Sequence, residues 1–433
     1  MTQQAPSESA PSTSSYRTLR TTVLLVCGVM MFAGYLLKAQ CLQPWDGRQY
    51  QRLCYNDLQA LYTHRAVDRG VFPYIHGSLI NGEPTNGAIE YPVLTGVFMW
   101  ASGKLVMTGN EYLRASAFLL APFGLLTAYL LLRMVGWRAL LWAASPALIL
   151  YSFHNWDLLT VAAAVAGFYA WYRGNTTWGA IWFGIGAAFK LYPLFFLAPL
   201  WLERWHARDR AGAWSGLWAG IGTFSLINLP FLIANREGWW ATFAFHQRRG
   251  SDWNAIWQWL PGQIAQFTAP RLNLLSTLFI AVTFLIALGA GWRRAQTDGR
   301  YPFIQVCAAM LCAFLLWNKV HSPQYALWLT PFFALIGVNL LWWALYSAAD
   351  LIMYVGIFRW FYDTGYRGLD YGPAKQALLG GLWIRAALLL ILIVVFLRAR
   401  PSEGLDEQPA GVRSPLLSHP PSNLVSVGER EPA

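Results

Sequence analysis

Between Cys41 and Pro92 the chain gathers groups that can move protons and meet charge. They are Asp46, Asp57, Asp68, Glu90, His64, His76 and the cysteines Cys41 and Cys54. A carboxylate held rigidly can take the proton of an attacking hydroxyl. Further on come Asp157, Lys190, the basic pair Arg248-Arg249, Lys319 and His321. Lysine, arginine and histidine side chains together suit a phosphate, because each offers charge-assisted hydrogen bonds to its oxygens. No Asp-x-Asp, HExxH, P-loop or Gly-rich nucleotide fingerprint occurs. No metal, cofactor or nucleotide donor is therefore expected, and a monophosphate leaving group met by cations needs none.

Each of these residues also has a plainer reading. Asp57 opens an apparent helix in Tyr55-Asn56-Asp57-Leu58-Gln59-Ala60-Leu61-Tyr62, with Leu58, Leu61, Tyr62 and Arg65 on one face. It is either the N-cap of that helix or a general base at the membrane surface. Asp68, followed by Arg69-Gly70, and Asp46, in Pro-Trp-Asp-Gly, read as loop and turn residues. Lys190 sits at a helix break in an apolar segment, where a lone ammonium needs an anionic partner. A phosphate and a carboxylate such as Asp157 both qualify. Asn318-Lys319-Val320-His321-Ser322-Pro323-Gln324-Tyr325 is either a donor-rich turn of the site or an ordinary polar loop. Asp350 lies inside an apolar run and is either a proton-coupling group or a buried carboxyl bonded to the nearby Ser347.

The elements that must position these groups are membrane helices. Of 433 residues, 56% are hydrophobic and 12% charged, and the mean hydropathy is +0.35. A soluble domain carries about a quarter charged residues. The expected class is therefore an all-α polytopic membrane protein. The 24 tryptophans suit interfacial belts, and aromatic rings also stack on sugars and lipid chains. The net charge of +11 comes from arginine clusters between apolar runs, not from a basic stripe that would bind nucleic acid.

Those clusters set the topology. Arg17 and Arg20 place the N-terminus in the cytoplasm and the loop 39–92 outside. Arg133/Arg138, Arg173, Arg204/Arg208/Arg210, Arg293/Arg294/Arg300 and Arg398/Arg400 mark the later cytoplasmic loops. Alternation then requires Tyr91–Met107 to be short or re-entrant, and the helices 178–190 and 193–202 to meet at Lys190-Leu191-Tyr192-Pro193. The other segments are 21–38, 114–132, 139–153, 157–172, 214–234, 273–292, 302–318, 325–338, 340–358 and 377–397, about twelve passes in all on the expected span lengths. Residues 1–20 and 399–433 read as disordered cytoplasmic tails around a membrane domain, 21–398. Asp57, Asp68, Glu90, Asp157, Lys190, Lys319 and His321 all fall on the outer side of this map. A disulfide between Cys41 and Cys54 fits that compartment. Cys27, Cys307 and Cys312 read as packing residues, and no cleavable signal is seen.

Asp57-Leu58-x-x-Leu61-Tyr62-x-x-x-Ala66, followed by Gly70-Val71-Phe72-Pro73-Tyr74, resembles the first-loop signature of glycosyltransferase family 87. Those enzymes are polyprenol-phosphate-sugar-dependent mannosyl- and arabinosyltransferases of actinobacterial envelopes. The resemblance continues through Glu90-Tyr91-Pro92-Val93-Leu94, Ser145-Pro146 and Asn155-Trp156-Asp157. It extends over Gly184-x-x-x-Ala188-Phe189-Lys190-Leu191-Tyr192-Pro193-Leu194 and Ser322-Pro323-Gln324-Tyr325-x-x-Trp328-x-x-Pro331. The Lys-x-Tyr-Pro block also resembles lumenal mannosyltransferases of glycolipid-anchor synthesis, which share the C-type membrane glycosyltransferase fold. The Cys41/Cys54 pair and the insert Gly77–Ala88 depart from the family pattern.

The resemblance implies inverting transfer of one sugar, mannose first, from a polyprenyl-phosphate donor to an envelope glycolipid or glycan at the outer face of the plasma membrane. It makes Asp57 the catalytic base, Lys190 a phosphate contact and His321 a histidine near the donor phosphate. Lys319, Glu90, Asp157, Tyr91, Arg248 and Arg249 are the further substrate-binding candidates. The implied partners are the donor, the acceptor and the bilayer. A transporter or flippase for a lipid-linked sugar is the competing expectation, resting on Asp350, Asp157 and the broken helices. A ligase moving a whole glycan is a third.

Overall fold

The computed structural model describes residues 13–260 and 267–406. The expected tails lie largely outside these residues. Within them, helix α1 (Thr13–Ala39) already begins ahead of the expected boundary at 21. Four short elements follow it: α2 (Arg48–Gln51), α3 (Asp57–His64), α4 (Pro73–His76) and a hairpin of β1 (Ser78–Ile80) and β2 (Glu83–Thr85). The strands pair antiparallel, Ser78 with Thr85 and Ile80 with Glu83. Asn81 and Gly82 turn between them, both at positive φ (51° and 78°), as a two-residue hairpin turn demands.

Helix α5 (Val93–Gly103) follows Pro92, its N-cap, and has 11 residues. At 1.5 Å per residue it is about 16 Å long, roughly half a hydrocarbon core. Helix α6 (Gly109–Val135) opens on a capping box between Thr108 and Glu111. The single span expected at 139–153 is instead broken. A 3-10 turn (Gly136–Ala139), α7 (Leu140–Ala143) and α8 (Pro146–Tyr151) replace it. The break falls at Ser145-Pro146, where proline disfavours helical geometry in the residue before it.

Next come α9 (Asp157–Tyr172), α10 (Thr176–Phe189), a 3-10 turn (Tyr192–Phe196) and α11 (Leu197–His206). They are followed by α12 (Arg210–Ala234), α13 (Arg236–Arg248), a 3-10 turn (Ile256–Trp259), α14 (Ala269–Asp298) and α15 (Phe303–Trp317). After a 3-10 turn (Pro323–Tyr325), α16 (Ala326–Leu335), α17 (Leu340–Arg367), α18 (Pro373–Arg398) and α19 (Glu403–Asp406) complete the described residues. The outer loop expected at Trp360–Gln376 is mostly helix, because α17 runs on to Arg367.

Among the described residues, six helices are long and apolar enough to span a membrane, with shorter apolar helices between them. The pattern of exposure identifies their solvent. Helix α1 buries Val23, Cys27 and Met31 but exposes Leu25, Val29, Phe32 and Leu36 on another stripe. Helices α12 and α14 do the same with Leu226 and Ile233, and with Leu274 and Leu285. Apolar stripes turned outward along spanning helices belong in lipid. By contrast, every residue of α9 from Asp157 to Phe168 is buried, so α9 forms the centre of the bundle beside α6 and α10. Helices α17 and α18 approach closely through Gly356 and Gly381: a Cβ on Gly381 would strike the backbone of Met353. Small residues at helix crossings allow this.

Candidate active site

At one end of the bundle the helix ends and loops surround a cavity of about 1380 Å³. Ordinary ligand pockets hold about 300–1,000 Å³, so there is room here for two reactants. The wall draws on loop segment 50–61, Glu90-Tyr91-Pro92, His154, Lys190-Leu191-Tyr192, helix α13 with the segment after it, and Asn318–Tyr325. Cys41 and Cys54, joined as a disulfide, tie the end of α1 to the segment just before Asp57.

The N-cap of α3 is Asn56, whose side chain accepts from the Gln59 amide. Asp57 is therefore free of the capping role and sits in the first turn. Its backbone N–H donates to the His154 carbonyl (2.7 Å), which pins the start of α3 to the turn between α8 and α9. Its carboxylate accepts from Asn155 Nδ2 (2.7 Å) and from the Tyr55 hydroxyl (3.1 Å). Asn155 Nδ2 also donates to the Tyr91 hydroxyl (2.8 Å), while its Oδ1 accepts from the Trp156 amide. That last bond fixes which way the Asn155 amide points. Protein packs all around Asp57, and what exposure it keeps is toward the cavity. Burial raises its pKa, and the Asn155 hydrogen bond and the Lys190 charge pull against that rise.

Lys190 is the C-cap of α10 and has left the helix for an extended conformation. That turn carries its ammonium onto the cavity wall, 3.4 Å from Asp157 Oδ2 and 4.8 Å from the centre of the Tyr91 ring. Asp157 itself is fully buried and lies behind this wall. Its other oxygen accepts from the Trp328 indole N–H (2.7 Å). Trp328 stacks between Tyr192 (4.3 Å) and Tyr325 (3.8 Å). The structure thus makes Asp157 the counter-ion of Lys190 rather than a surface open to ligand.

A second group of charges lies on α13 and the turn after α15. Arg65 pairs with Glu90 (2.6 Å), and the Glu90 carbonyl meets His246 Nε2 (3.2 Å). Arg249 pairs with Asp252 (3.0 Å), and Lys319 Nζ donates to the Arg249 carbonyl. Burial, with the Arg249 charge second, lowers the Lys319 pKa to about 8. Arg248 is exposed at the cavity rim, against Gly82 of the hairpin. Arg65 caps the C-terminus of α3 rather than sharing its apolar face.

His321 is placed differently from expectation. It is buried and off the cavity wall. Its Nδ1 lies 2.8 Å from the Leu315 carbonyl, so that nitrogen carries the proton. Burial and the nearby Arg385 hold its pKa well below the usual histidine range. The neutral ring then has only a lone pair at Nε2, which has no partner among the described residues. It cannot donate to a phosphate in this arrangement. The wall histidines are instead His154 and His246, which sequence reasoning did not single out, and His64 and His76 are exposed elsewhere.

Sequence reasoning also passed over Lys38. It is fully buried, at the last turn of α1. Its ammonium bonds the Tyr354 hydroxyl (2.6 Å) and the Tyr55 carbonyl (3.1 Å) and lies 3.5 Å from His154 Nδ1. These contacts put it directly behind the residues that hold Asp57. One lysine at the end of an apolar helix gave no signal beyond the interfacial lysine expected there.

Asp350, the residue behind the transport expectation, accepts from Tyr151 (2.8 Å) and pairs with Arg385 (3.4 Å). Its partners are not the neighbouring Ser347, and it is absent from the cavity wall.

No curated protein matches the chain. A family model does, over residues 91–318, a stretch that holds Tyr91, Asn155, Asp157, Lys190, His246 and Arg249. A helical membrane bundle with a half-buried carboxylate and a cluster of cations around one large cavity fits that match, and the chain belongs to glycosyltransferase family 87.

Proposed function

We propose that this protein transfers one sugar, mannose, from a polyprenyl-phosphate donor to a glycolipid or glycan acceptor of the cell envelope, with inversion, at the outer face of the plasma membrane. The observation that carries the reading is Asp57: a half-buried carboxylate, oriented by Asn155 and Tyr55, that opens on a cavity with Lys190 on its wall. Asp57 takes the proton of the acceptor hydroxyl as that oxygen attacks the anomeric carbon. The bond to the donor phosphate breaks on the opposite face through an oxocarbenium-like transition state. Negative charge then grows on the leaving phosphate. Lys319, Arg249 and Lys190 meet it in a recess of low dielectric, where preorganised charge stabilises most. Tyr325, Trp328 and Tyr192 give the sugar an aromatic wall.

A transporter gains little support from these features. Asp350 is neutralised by Arg385 and Tyr151, and an acid already paired so deeply is poorly placed to pick up and release ions. Transfer from radiolabelled polyprenyl-phosphate mannose to an envelope-lipid pool tests the proposal. The wild-type protein makes labelled glycolipid, and a purified, folded enzyme that makes none with either mannose or arabinose donors overturns it.

A further inference from the structure

Helix α13 is fastened along one face to the segment that leads into α5. Gly238, Thr242 and His246 recur at helical spacing and share that face. Ahead of them the N-cap, Asn235, donates to the Gly77 carbonyl (2.7 Å). Thr242 donates to the Tyr91 carbonyl (2.7 Å), and His246 Nε2 lies 3.2 Å from the Glu90 carbonyl. Glu90 is held in turn by Arg65, and Tyr91 by Asn155, the residue that orients Asp57. The spacing thus sets His246 against the segment that leads to Asp57.

A carbonyl oxygen only accepts, so Nε2 carries the His246 proton and Nδ1 keeps a lone pair. Nδ1 makes no hydrogen bond among the described residues. The side chain is half-buried and stands on the wall of the large cavity. Burial, with the Arg249 charge second, lowers its pKa to about 4. The ring is therefore neutral near neutral pH, and the lone pair is available.

The rest of the wall decides what that lone pair meets. Arg248, Arg249, Lys190 and Lys319 all offer protons. They suit the oxygens of a phosphate, which a lone pair cannot bond. A lone pair needs a hydroxyl, and the hydroxyl that reacts is taken by Asp57. The charges that act on His246 include Arg249 and Lys190, which meet the donor phosphate, and the transferred sugar is one bond from that phosphate. We infer that His246 reads a non-reacting hydroxyl of the transferred sugar through Nδ1. The inference rests on the donor proposed above and makes His246 a specificity residue for it.

Binding, measured apart from transfer, tests this. The full-length protein in nanodiscs is titrated with a short-chain polyprenyl phosphate, bare or carrying mannose. His246→Leu and His246→Asn both lose the Glu90 bond, but the asparagine sets an amide oxygen where Nδ1 stands. His246→Leu should weaken the mannosylated lipid about tenfold and leave the bare lipid unchanged, while His246→Asn stays within about threefold of wild type. One deoxy-mannosyl lipid should bind wild type about tenfold more weakly and lose nothing further in His246→Leu, the mark of a direct pair. If His246→Leu misfolds, His246→Phe, which keeps a ring, takes its place. Equal weakening by the leucine and asparagine variants makes His246 a fastener of α13 alone and overturns the inference, as does parallel weakening of the bare lipid. Coupling to a deoxy acceptor instead of a deoxy donor, read by transfer, overturns the assignment to the transferred sugar. A folded wild type that binds neither lipid overturns the donor itself, and the inference with it.

Discussion

At the scale of the residue, the Asp57 carboxylate is set by its neighbours more than by its own position in the chain. Asn155 holds one carboxylate oxygen and Tyr55 the other. Asn155→Ala leaves a half-buried carboxylate short of one donor, a loss of about 1–3 kcal/mol. Transfer should fall about 10- to 100-fold in kcat, with the acid limb of the pH profile moved up, as steady-state kinetics can show. The pH profile has two sides. A base works only when unprotonated, and the Asp57 pKa is raised by burial, so activity climbs with pH through a value above the ordinary carboxylate range. Lys319, lowered to about 8, must keep its proton to meet the leaving phosphate, so activity falls again above about 8. Lys319→Arg, with a guanidinium that does not lose its proton, should remove that alkaline fall; an unchanged fall would take Lys319 out of the reaction. Lys190 stood out in the sequence because a charge at the edge of an apolar run is costly, while the local sequence left Asp57 between N-cap and base and only the family resemblance chose the base. His154, Tyr55 and Lys38 did not stand out, because their roles exist only once the turn 152–156 folds against 53–57. His321 looked like a polar-turn donor, and its tertiary placement turned it into a buried acceptor.

At the scale of the element, helix ends do the positioning. Lys190 reaches the cavity because α10 stops at Phe189 and the next residue is extended. Lys-x-Tyr-Pro announced that break, since proline cannot continue the helix. The bounds of α9, α10 and α15 followed closely from hydropathy, whereas α1, α6 and α14 run well past their apolar runs, to 27, 27 and 30 residues. The break of α7 from α8 and the extension of α17 to Arg367 did not follow from it, since one rests on a local Ser-Pro bend and the other on packing beyond the apolar run. Lys38 at the end of α1 joins the Tyr55 carbonyl to Tyr354. Lys38→Met removes those bonds, and we expect kcat per folded molecule to fall with little change in KM, whereas a merely weakened fold would lower the folded fraction and leave turnover per folded molecule intact. Gly381→Val forces a side chain against the Met353 backbone and should cost about 1–3 kcal/mol, as overpacking does. A lower melting temperature in detergent would record it.

At the scale of the molecule, the bundle carries a large charged cavity at one end, with lipid-facing stripes along its length. All-α membrane architecture was plain from composition alone. The meeting of Asp57, Lys190, Arg249 and Lys319 around one space could be expected only from their shared side of the topology map. Asp350 separates transfer from transport. Removing its charge leaves Arg385 unpaired, which destabilises a fold by about 3–5 kcal/mol. Asp350→Asn should therefore lower the melting temperature, yet transfer per folded molecule should persist, because the Asp350–Arg385 pair lies off the cavity. The most direct test of the central claim is a side-by-side assay of wild type and Asp57→Asn in nanodiscs with radiolabelled polyprenyl-phosphate mannose and an envelope-lipid pool. Labelled product from wild type, with none from a variant of unchanged melting temperature, is the predicted result. Near-normal transfer by Asp57→Asn would contradict it.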